Sequence, residues 1–384
     1  MKKLKFTKCH CENQGGYLKS DAGKRFSKSG EVVSEQGGGD RYMGESVSLK
    51  DIAKACNVSV STVSKAMNDR ADVSSAKKEE IRRVAREMNY VPNYMASALK
   101  NQYTRNIGVI LAEEAGQGLT HEHFAKILNS FKDTVEERGY VITFLNTSNS
   151  PSRFSYMKQC QYMKYDGVLV VCADFHQKEL DELLSSNIPV VVIDHTLKKH
   201  VNIASNQYGD MRRLMQFVFD RGHRKIAYIH GKNSEVTRGR LSAYLDFMNE
   251  HHLRVPKEYV YTCPYRDVER ANALTKAVLA LPNRPTCILY PDDLTAISGL
   301  GVMQEMGVRV PEDISIAGYD GISIAGIVRP RLTTIRQDTV SIGIQAGNKL
   351  INRIEFPGIG IDGETVTVDS MVEPGESVGV VKKA

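Results

Sequence analysis

Residues 48–100 have the sequence "SLKDIAKACNVSVSTVSKAMNDRADVSSAKKEEIRRVAREMNYVPNYMASALK", in which apolar side chains recur at the spacing of three short helices. Ser59 has the chemistry to cap the second helix, and Ser74 or Ser75 can cap the third. The three apolar stripes are Leu49, Ile52, Ala53 and Cys56; Val60, Val63, Ala66 and Met67; and Ile81, Val84, Ala85 and Met88. The pattern predicts a small all-α domain over residues 46–91.

The start of the second helix is rich in hydroxyl groups. Ser59, Ser61, Thr62 and Ser64 lie in or beside its first turn, and Lys65 can reach a guanine edge. The second helix of a helix-turn-helix motif enters the major groove with its N-terminal residues, so short hydrogen-bonding side chains suit its first turn. The alternative is that these hydroxyls only cap a solvated helix.

The positive charge lies wholly in the first part of the chain. Residues 1–45 carry nine Lys and Arg against six Asp and Glu, and residues 46–105 carry eleven against six. Residues 106–384 carry 31 against 33. A basic head on a nearly neutral body suits contact with a polyanion at one end.

Residues 1–45 are polar, rich in Gly, Ser and Lys, and without sustained periodicity, which predicts a disordered leader. Met43 stands just before the first helical pattern and is a candidate native start. On that hypothesis residues 1–42 are absent from the native protein. The intact mass of the native chain would decide the question.

The cysteine pattern argues against a disulfide framework. Seven cysteines, an odd number, are scattered over 384 residues, which favours a reducing compartment. The "CHC" at 9–11 lacks a second Cys/His pair at zinc-like spacing, so we expect no metal and no cofactor. No apolar run has the length of a membrane span, and no signal-peptide pattern follows the N-terminal lysines. We expect a cytoplasmic, nucleoid-associated protein without membrane contact.

From residue 106 the chain alternates between strand-like and helical segments. The strand-like runs are "NIGVILA", "YVITFL", "DGVLVV", "IPVVVID", "KIAYI", "TCILY" and "ISIAGY". Continuous apolar runs separated by amphipathic helices predict doubly wound α/β sheets with mostly parallel strands. Because roughly 280 residues are too many for one such sheet, two lobes are expected.

The segment from Ser48 to Lys100 resembles the DNA-binding headpiece of the LacI/GalR (lactose/galactose-repressor) family. The match begins with Asp51, Ile52 and Ala53, continues through "VSVSTVS", and ends with "NYVPNYMASAL". The resemblance implies a small all-α helix-turn-helix headpiece with a hinge helix. It also implies that an α/β two-lobed sensor domain like the periplasmic binding proteins follows.

The resemblance assigns DNA contacts residue by residue. Val60, Ser61 and Lys65 inherit base reading. Positions that inherit phosphate or backbone contacts are Ser48, Ser59, Thr62, Ser74, Tyr90 and Asn93, and the predicted DNA-binding set also includes Asn68, Ala96, Leu99 and Lys100.

Three departures from the family pattern affect base reading. Asn57 stands where many members have Gly, and Asn tolerates the left-handed turn at some cost. Val60 and Ser61 replace larger polar side chains, and Lys65 replaces a frequent Arg. Because Lys cannot make the bidentate fork that Arg makes to guanine, the operator preference stays open.

Residues 92–104 resemble the family's hinge helix and linker. The resemblance implies that this helix orders on the operator and lies in the minor groove, with Leu99 wedged into the central base step. Ala96 would be the small residue that permits close approach. The alternative is that Leu99 packs on the body. Unstacking a base step costs free energy that bent DNA returns by wrapping more protein.

The body, residues 105–384, carries motifs in the family's order: "RGHRKIAYIHG", "PDDLTAISGLGVMQEMGVRVPEDISIAGYDG" and "RPRLTTIRQD". We expect an N-lobe of about 105–204 and 336–363 and a C-lobe of about 205–335 and 364–384. Such proteins bind a ligand between the lobes and close by hinge motion.

Matching the family's motifs at the carboxyl ends of strands points to a set of ligand-binding residues. They are Asp194, Arg240, Tyr265, Asp292 and Asp320. Carboxylates and a guanidinium suit sugar hydroxyls. The alternative is that these residues are strand-end turns and helix caps, and Asp292 stands where Asn is usual. His121, Glu122 and His123 either select a ligand or begin a solvated helix.

An enzyme is not indicated, because the sequence has no P-loop, no Ser/His/Asp order and no metal triad; Gly299 and Gly301 lie in a helical pattern. A stand-alone sugar-binding protein is the alternative function, but the basic head would have no use in it. We therefore expect a homodimeric transcriptional repressor that binds a pseudo-palindromic double-stranded operator. A small-molecule effector, a sugar or a purine, would control its affinity.

Overall fold

The computed structural model describes residues 47–91, 103–112, 118–147, 154–358 and 363–381. The chain divides into two compact units, Met1–Asn93 and Tyr94–Ala384. The predictions that lie outside the described residues are the leader 1–45 with Met43, the cysteines at 9 and 11, and the hinge positions Asn93, Ala96, Leu99 and Lys100.

The headpiece, residues 47–91, is a three-helix unit. Its helices are α1 (Leu49–Ala55), α2 (Val60–Met67) and α3 (Ser75–Glu87). The side chains that bury its core are Ile52, Ala53, Cys56, Val63, Ala66, Val73, Ile81 and Ala85. Asn57 has a φ of 50°, which confirms the predicted left-handed turn after α1.

The sensor unit contains two six-stranded sheets, one in each lobe. The first has the order β11-β5-β4-β3-β1-β2 and the second the order β12-β10-β9-β8-β6-β7. The first-lobe strands are β1 (Asn106–Leu111), β2 (Val141–Phe144), β3 (Gly167–Cys172), β4 (Val190–Ile193), β5 (Val201–Ser205) and β11 (Thr365–Val368). The second-lobe strands are β6 (Ile226–His230), β7 (Val260–Thr262), β8 (Cys287–Leu289), β9 (Ser315–Asp320), β10 (Thr333–Arg336) and β12 (Met371–Glu373).

Helices connect the parallel strands and cover the sheets. Those of the first lobe are α4 (Glu122–Glu137), α5 (Tyr156–Met163), α6 (Lys178–Leu184) and α11 (Thr339–Glu355). Those of the second are α7 (Gln207–Asp220), α8 (Glu235–Glu250), α9 (Val268–Leu279) and α10 (Asp293–Glu305). The buried side chains of α4 and α11 join one apolar core with strands of the first sheet. A Cβ at Gly343 would lie 2.4 Å from the Ile127 carbonyl oxygen, so glycine permits this close packing.

The chain crosses between the lobes three times, after β5, β10 and β11. The last crossing comes after Val368 and not near residue 363 as the sequence predicted, because 365–368 pairs in parallel with β5. Residues 333–336 pair with β9 in the second sheet, so the second crossing follows Arg336, close to its predicted position. No helix among the described residues combines the length and apolar character that a bilayer span needs.

Candidate nucleic-acid interface and ligand cleft

The first turn of α2 presents a cluster of three hydroxyl groups. Ser59 caps the helix, since its Oγ accepts a hydrogen bond from the Thr62 N–H at 3.1 Å. The same Oγ lies 2.7 Å from Ser61 Oγ and 2.8 Å from Thr62 Oγ1. Because hydroxyl hydrogens rotate, these exposed groups can exchange their mutual bonds for bonds to phosphate or base edges.

Val60 does not belong to the apolar stripe of α2, contrary to the sequence interpretation. Its side chain is 41% exposed, whereas Val63 and Ala66 are fully buried. The first helical residue precedes the turn that packs on α1 and α3, so it faces outward. This exposed position is compatible with the base-reading role that the resemblance assigns to Val60.

Lys65 is held by an acidic neighbour within the headpiece. Its Nζ lies 2.5 Å from Asp72 Oδ2, and both side chains are about half exposed. The Lys65 hydrogen bond lowers the pKa of Asp72, so the pair is ionic at neutral pH. This partner of Lys65 was not predicted from the sequence. Base reading by Lys65 requires that it exchange Asp72 for DNA.

The other predicted headpiece contacts already have local hydrogen bonds. The Ser48 N–H and hydroxyl both donate to Asp51 Oδ2, at 2.8 and 2.6 Å. Asn68 Nδ2 donates to the Ser64 carbonyl at 2.7 Å, at the end of α2. Ser74 caps α3, and Tyr90 is half-buried against the headpiece core. The cap interpretation therefore applies to Ser48 and Ser74, alongside the phosphate contacts predicted for them.

Most headpiece cations also form ion pairs within the headpiece. These pairs are Lys65–Asp72, Lys77–Glu80, Lys78–Asp69, Arg82–Asp69, Arg83–Glu87 and Arg86–Glu79. Exposed pairs of this kind contribute only about 0 to 1 kcal/mol each. They can therefore exchange a carboxylate for a phosphate at small cost.

Arg240, on α8, is buried and held in place by several contacts. Its Nε donates to Gln207 Oε1 at 2.7 Å, and an Nη donates to the Pro291 carbonyl at 3.0 Å. The guanidinium carbon lies 3.3 Å from the Tyr319 ring centroid. These contacts fix the plane of the guanidinium, which is the arrangement that directional recognition of hydroxyls needs.

Asp320 is the last residue of β9, and the side-chain amide of Gln337 connects it to Ser205 of the first lobe. Gln337 Nε2 donates to Asp320 Oδ1 at 2.7 Å, and Ser205 Oγ donates to Gln337 Oε1 at 2.6 Å. Burial raises the pKa of Asp320 to about 6, although Arg240 acts to lower it. Asp320 therefore lies in a cleft where a carboxylate is costly to keep ionised.

Asp194 occupies the matching strand end in the first lobe. It follows β4 with a φ of 51°, and its Oδ1 accepts the Ser205 N–H at 2.9 Å. Gln207 Nε2 also approaches Oδ1, at 3.4 Å. Burial raises the pKa of Asp194 as well. Since both bonds from the described residues go to Oδ1, Oδ2 is the acceptor that Asp194 can offer to a ligand.

Asp292 and Tyr265 have structural partners. Asp292 caps α10 by accepting the Thr295 N–H at 2.9 Å on Oδ1, and its Oδ2 accepts the Arg266 N–H at 2.8 Å. The Tyr265 hydroxyl oxygen lies 2.9 Å from Thr237 Oγ1, and the Tyr265 ring packs against Gly231. Because both Asp292 oxygens bind backbone, the cap interpretation applies to this residue.

His121 and His123 are buried beside the cleft, which contradicts the solvated-helix alternative for both rings. Their relative exposures are 7% and 5%. Burial lowers the pKa of His121 to about 3 and that of His123 to about 4, so both rings are neutral. His123 Nδ1 is buried without a hydrogen-bond partner among the described residues. A ligand polar group is one way to satisfy it.

A cavity of about 380 Å³ lies where the lobes and the crossings meet. Its lining includes His123 from the first lobe, Asp320 from the second and Gln337 from a crossing. That volume is in the range of small-molecule sites. Three residues of this region were not predicted from the sequence: Gln207, Gln337 and Tyr319. Gln337 is part of the quoted motif "RPRLTTIRQD", so the motif itself was the available signal.

Metal chemistry has no visible support in the residues that the structure describes. Within those ranges no three His, Cys, Asp or Glu side chains lie close enough together to share an ion. The described cysteines are free, and four of the five are buried.

Two family models match the chain. "Bacterial regulatory proteins, lacI family" matches residues 48–93, and "Periplasmic binding protein-like domain" matches residues 215–378. The HTH-type transcriptional repressor PurR of Klebsiella pneumoniae (strain 342) is 30% identical over 312 residues, covering 80% of this chain and 90% of the relative.

Two solved structures resemble the fold. A lac repressor dimer bound to operator and the anti-inducer ONPF aligns with a TM-score of 0.75 and 21% identity, over 87% of this chain and 100% of that chain. A complex of the transcriptional regulator CelR with cellobiose aligns with a TM-score of 0.64 and 23% identity, over 86% and 99%. At these identities the structures support the fold alone.

Proposed function

We propose, because the chain belongs to the lacI family of bacterial regulatory proteins, that this transcriptional repressor acts as a dimer on a pseudo-palindromic operator. A small molecule between the two sensor lobes would control its affinity for DNA. The observation that carries the proposal is the exposed start of α2, where Val60, Ser61 and Lys65 lie outside the headpiece core. We place the protein in the cytoplasm, where the operator is.

In this proposal α2 lies in the major groove of each half-site. Val60 offers an apolar contact such as a thymine methyl requires, Ser61 offers a rotatable hydroxyl, and Lys65 offers a charge to a guanine edge. The surrounding contacts position the helix on the backbone. They are Ser48, Ser59, Thr62, Asn68, Ser74, Tyr90 and Asn93, and the hinge positions Ala96, Leu99 and Lys100 would complete the set at the minor groove.

The salt dependence of operator binding tests the DNA function. Neutralising six to ten phosphates should reduce affinity about 10³- to 10⁵-fold between 50 and 200 mM salt. The measurement is a fluorescence anisotropy titration of the full chain on a duplex selected from a random library. A matched duplex with both half-sites scrambled is the control for sequence-independent binding. A flat salt dependence, or equal affinity for the two duplexes, would contradict the proposal.

Asp72→Asn should tighten operator binding by about two- to fivefold, because it releases Lys65 and removes a negative charge from the headpiece. Asp69→Asn is the matched control: it removes the same charge from the headpiece but releases Lys78 and Arg82, not Lys65. The same anisotropy titration compares the two variants. Equal gains in both would mean that only net charge matters, and no gain in Asp72→Asn would remove Lys65 from the interface.

For the effector we propose a sugar, with a purine as the other class to test. Asp194 and Asp320 each accept their hydrogen bonds from described residues on Oδ1 alone, so both can accept sugar hydroxyls on Oδ2. Arg240 would donate to a ligand oxygen, and Tyr265 would pack on the ligand from the side. Asp292 would act mainly by holding the backbone N–H groups of Thr295 and Arg266 in place.

For the dimer we consider the exposed apolar side chains of the sensor unit. Ile324 and Ile327 follow β9, whereas Val340 and Met371 each follow a crossing and also line the cavity. Ile327 is 71% exposed, and covering its side chain in a dimer would remove apolar surface from water. The solved lac repressor is a dimer on its operator. Analytical ultracentrifugation of Ile327→Asp should therefore show a weakened dimer.

A further inference from the structure

Two glutamates reach from one lobe to the other at equivalent places in the fold. Glu122 is the first residue of α4, the helix after the first strand of the first lobe. Glu235 is the first residue of α8, the helix after the first strand of the second lobe. Both side chains are about one-third exposed. The two sheets have the same strand order, so these positions correspond.

Each glutamate accepts two hydrogen bonds from one residue of the opposite lobe. The Ser323 N–H and hydroxyl donate to Glu122 Oε1 at 2.8 and 2.6 Å. The Thr196 N–H donates to Glu235 Oε2 at 2.9 Å, and the Thr196 hydroxyl donates to Oε1. Ser323 lies three residues after β9 and Thr196 three residues after β4, which are again equivalent strands.

Glu235 is not needed to cap its own helix. Ser234 caps α8 by accepting the Thr237 N–H at 3.1 Å, and Glu235 then points across the cleft. Burial alone would raise the pKa of Glu235, but the Thr196 hydrogen bonds and His195 lower it overall. Glu122 has a similar second support, since Lys126 Nζ lies 2.6 Å from its Oε1. Both carboxylates are therefore ionised acceptors at neutral pH.

We propose that Glu122 and Glu235 are positioning residues of the effector cleft: the two contacts, which we call lobe clasps, together set how readily the lobes separate. A lobe clasp is the pair Glu122–Ser323 or Glu235–Thr196. The inference rests on the proposed function of the cleft as the effector site. An effector that contacts both lobes binds the joined arrangement, so losing a clasp lowers the population it can bind.

We also expect the two lobe clasps to be coupled, so that breaking one weakens the other. Two contacts across one opening motion are coupled, because removing either increases the population in which both are broken. Two unrelated surface contacts would not be coupled. Loss of Glu235 should therefore expose the Ser323 amide, which Glu122 holds, although Glu235 does not touch it.

Hydrogen exchange of the full chain, read by mass spectrometry on peptides containing Ser323 or Thr196, tests the coupling. In Glu235→Ala the Ser323 peptide should exchange about three- to tenfold faster, and in Glu122→Ala the Thr196 peptide should do the same. Glu235→Gln keeps an acceptor oxygen and should recover part of the protection. Glu269→Ala, which removes a first-turn glutamate of α9 within one lobe, should change neither peptide.

Acceleration confined to the clasp that was altered would overturn the proposal. Thr196→Val removes only the hydroxyl bond and serves if Glu235→Ala does not fold. Thr196→Val should also accelerate amide hydrogen exchange in the Ser323 peptide, by a smaller factor than Glu235→Ala. The exchange measurement uses neither operator nor effector. Its failure is therefore separate from failure of the salt-dependence test of DNA binding.

Discussion

Asp320→Asn is expected to raise the free energy of unfolding by about 1 to 3 kcal/mol at pH 7.5. In the folded protein burial raises the pKa of Asp320 to about 6 from an ordinary value of 3.8. A carboxyl with a raised pKa binds its proton more tightly in the folded state, so folding is penalised once the pH exceeds both values. Asparagine carries no charge, and its Oδ1 can still accept the Gln337 hydrogen bond.

The sign of this effect fixes its pH dependence. Below pH 3.8 the Asp320 carboxyl is protonated in both states, so the substitution should be nearly neutral there. The gain should grow between pH 4 and pH 6 and then level off. Urea unfolding of both proteins at pH 4 and pH 7.5 provides the measurement. Asp246→Asn, an exposed carboxyl on α8, is the control and should show no such growth.

A loss of stability at pH 7.5 in Asp320→Asn would mean that Arg240 compensates the charge more fully than its geometry indicates. The expected gain has a functional meaning. A carboxylate that costs stability but remains in the cleft is better explained by ligand binding than by packing, since a neutral amide would hold Gln337 equally well. The variant should accordingly be more stable and bind its effector less well.

The fold could be predicted where the sequence has long apolar runs. β1, β3, β4 and β9 lie within a residue or two of their predicted positions, because strands buried on both faces need continuous apolar side chains. The short strand β11 could not be predicted. Its sequence "TVTV" is only four residues long, alternates hydroxyls with valines, and lies at the edge of a sheet, so it lacks the continuous apolar run of the central strands.

The site could be predicted only in part, because a motif identifies a residue but not its partner. Asp194 and Asp320 follow or end buried strands, and Gln207 links Asp194 to Arg240 on α8, but the ligand-binding role of the three residues stays a prediction. The pairing of Lys65 with Asp72 depends on how the turn after α2 folds back. The Glu122–Ser323 contact spans 201 residues, so sequence spacing carries no sign of it.

Arg240→Ala is expected to weaken effector binding by about 100- to 1,000-fold, which corresponds to roughly 3 to 4 kcal/mol. The guanidinium is 3% exposed and its Nε and one Nη already bind Gln207 and the Pro291 carbonyl, so it reaches the ligand as a fixed donor. Its loss also removes the cation nearest Asp320. The pKa of Asp320 should rise further, and part of its carboxylate acceptor strength would be lost.

A thermal-shift panel of neutral sugars, acidic sugars and purines can measure the effect before the effector is known. Any compound that raises the melting temperature of the unaltered chain should give no shift with Arg240→Ala at the same concentration. Arg238→Ala is the matched control: it removes a cation from the same turn of α8 that bonds only to Asn233 at 3.2 Å among the described residues. Its response should match that of the unaltered chain.

Arg240→Lys separates charge from geometry. Lysine keeps the cation beside Asp320 but cannot bind Gln207 and the Pro291 carbonyl through one planar group, so its effector affinity should fall between those of the unaltered chain and Arg240→Ala. If lysine restores the full response, charge alone matters and the fixed guanidinium plane does not. An unchanged response in Arg240→Ala would place the effector elsewhere. In the proposed function the headpiece, a separate compact unit, binds the operator, so both variants should retain DNA affinity while losing its control.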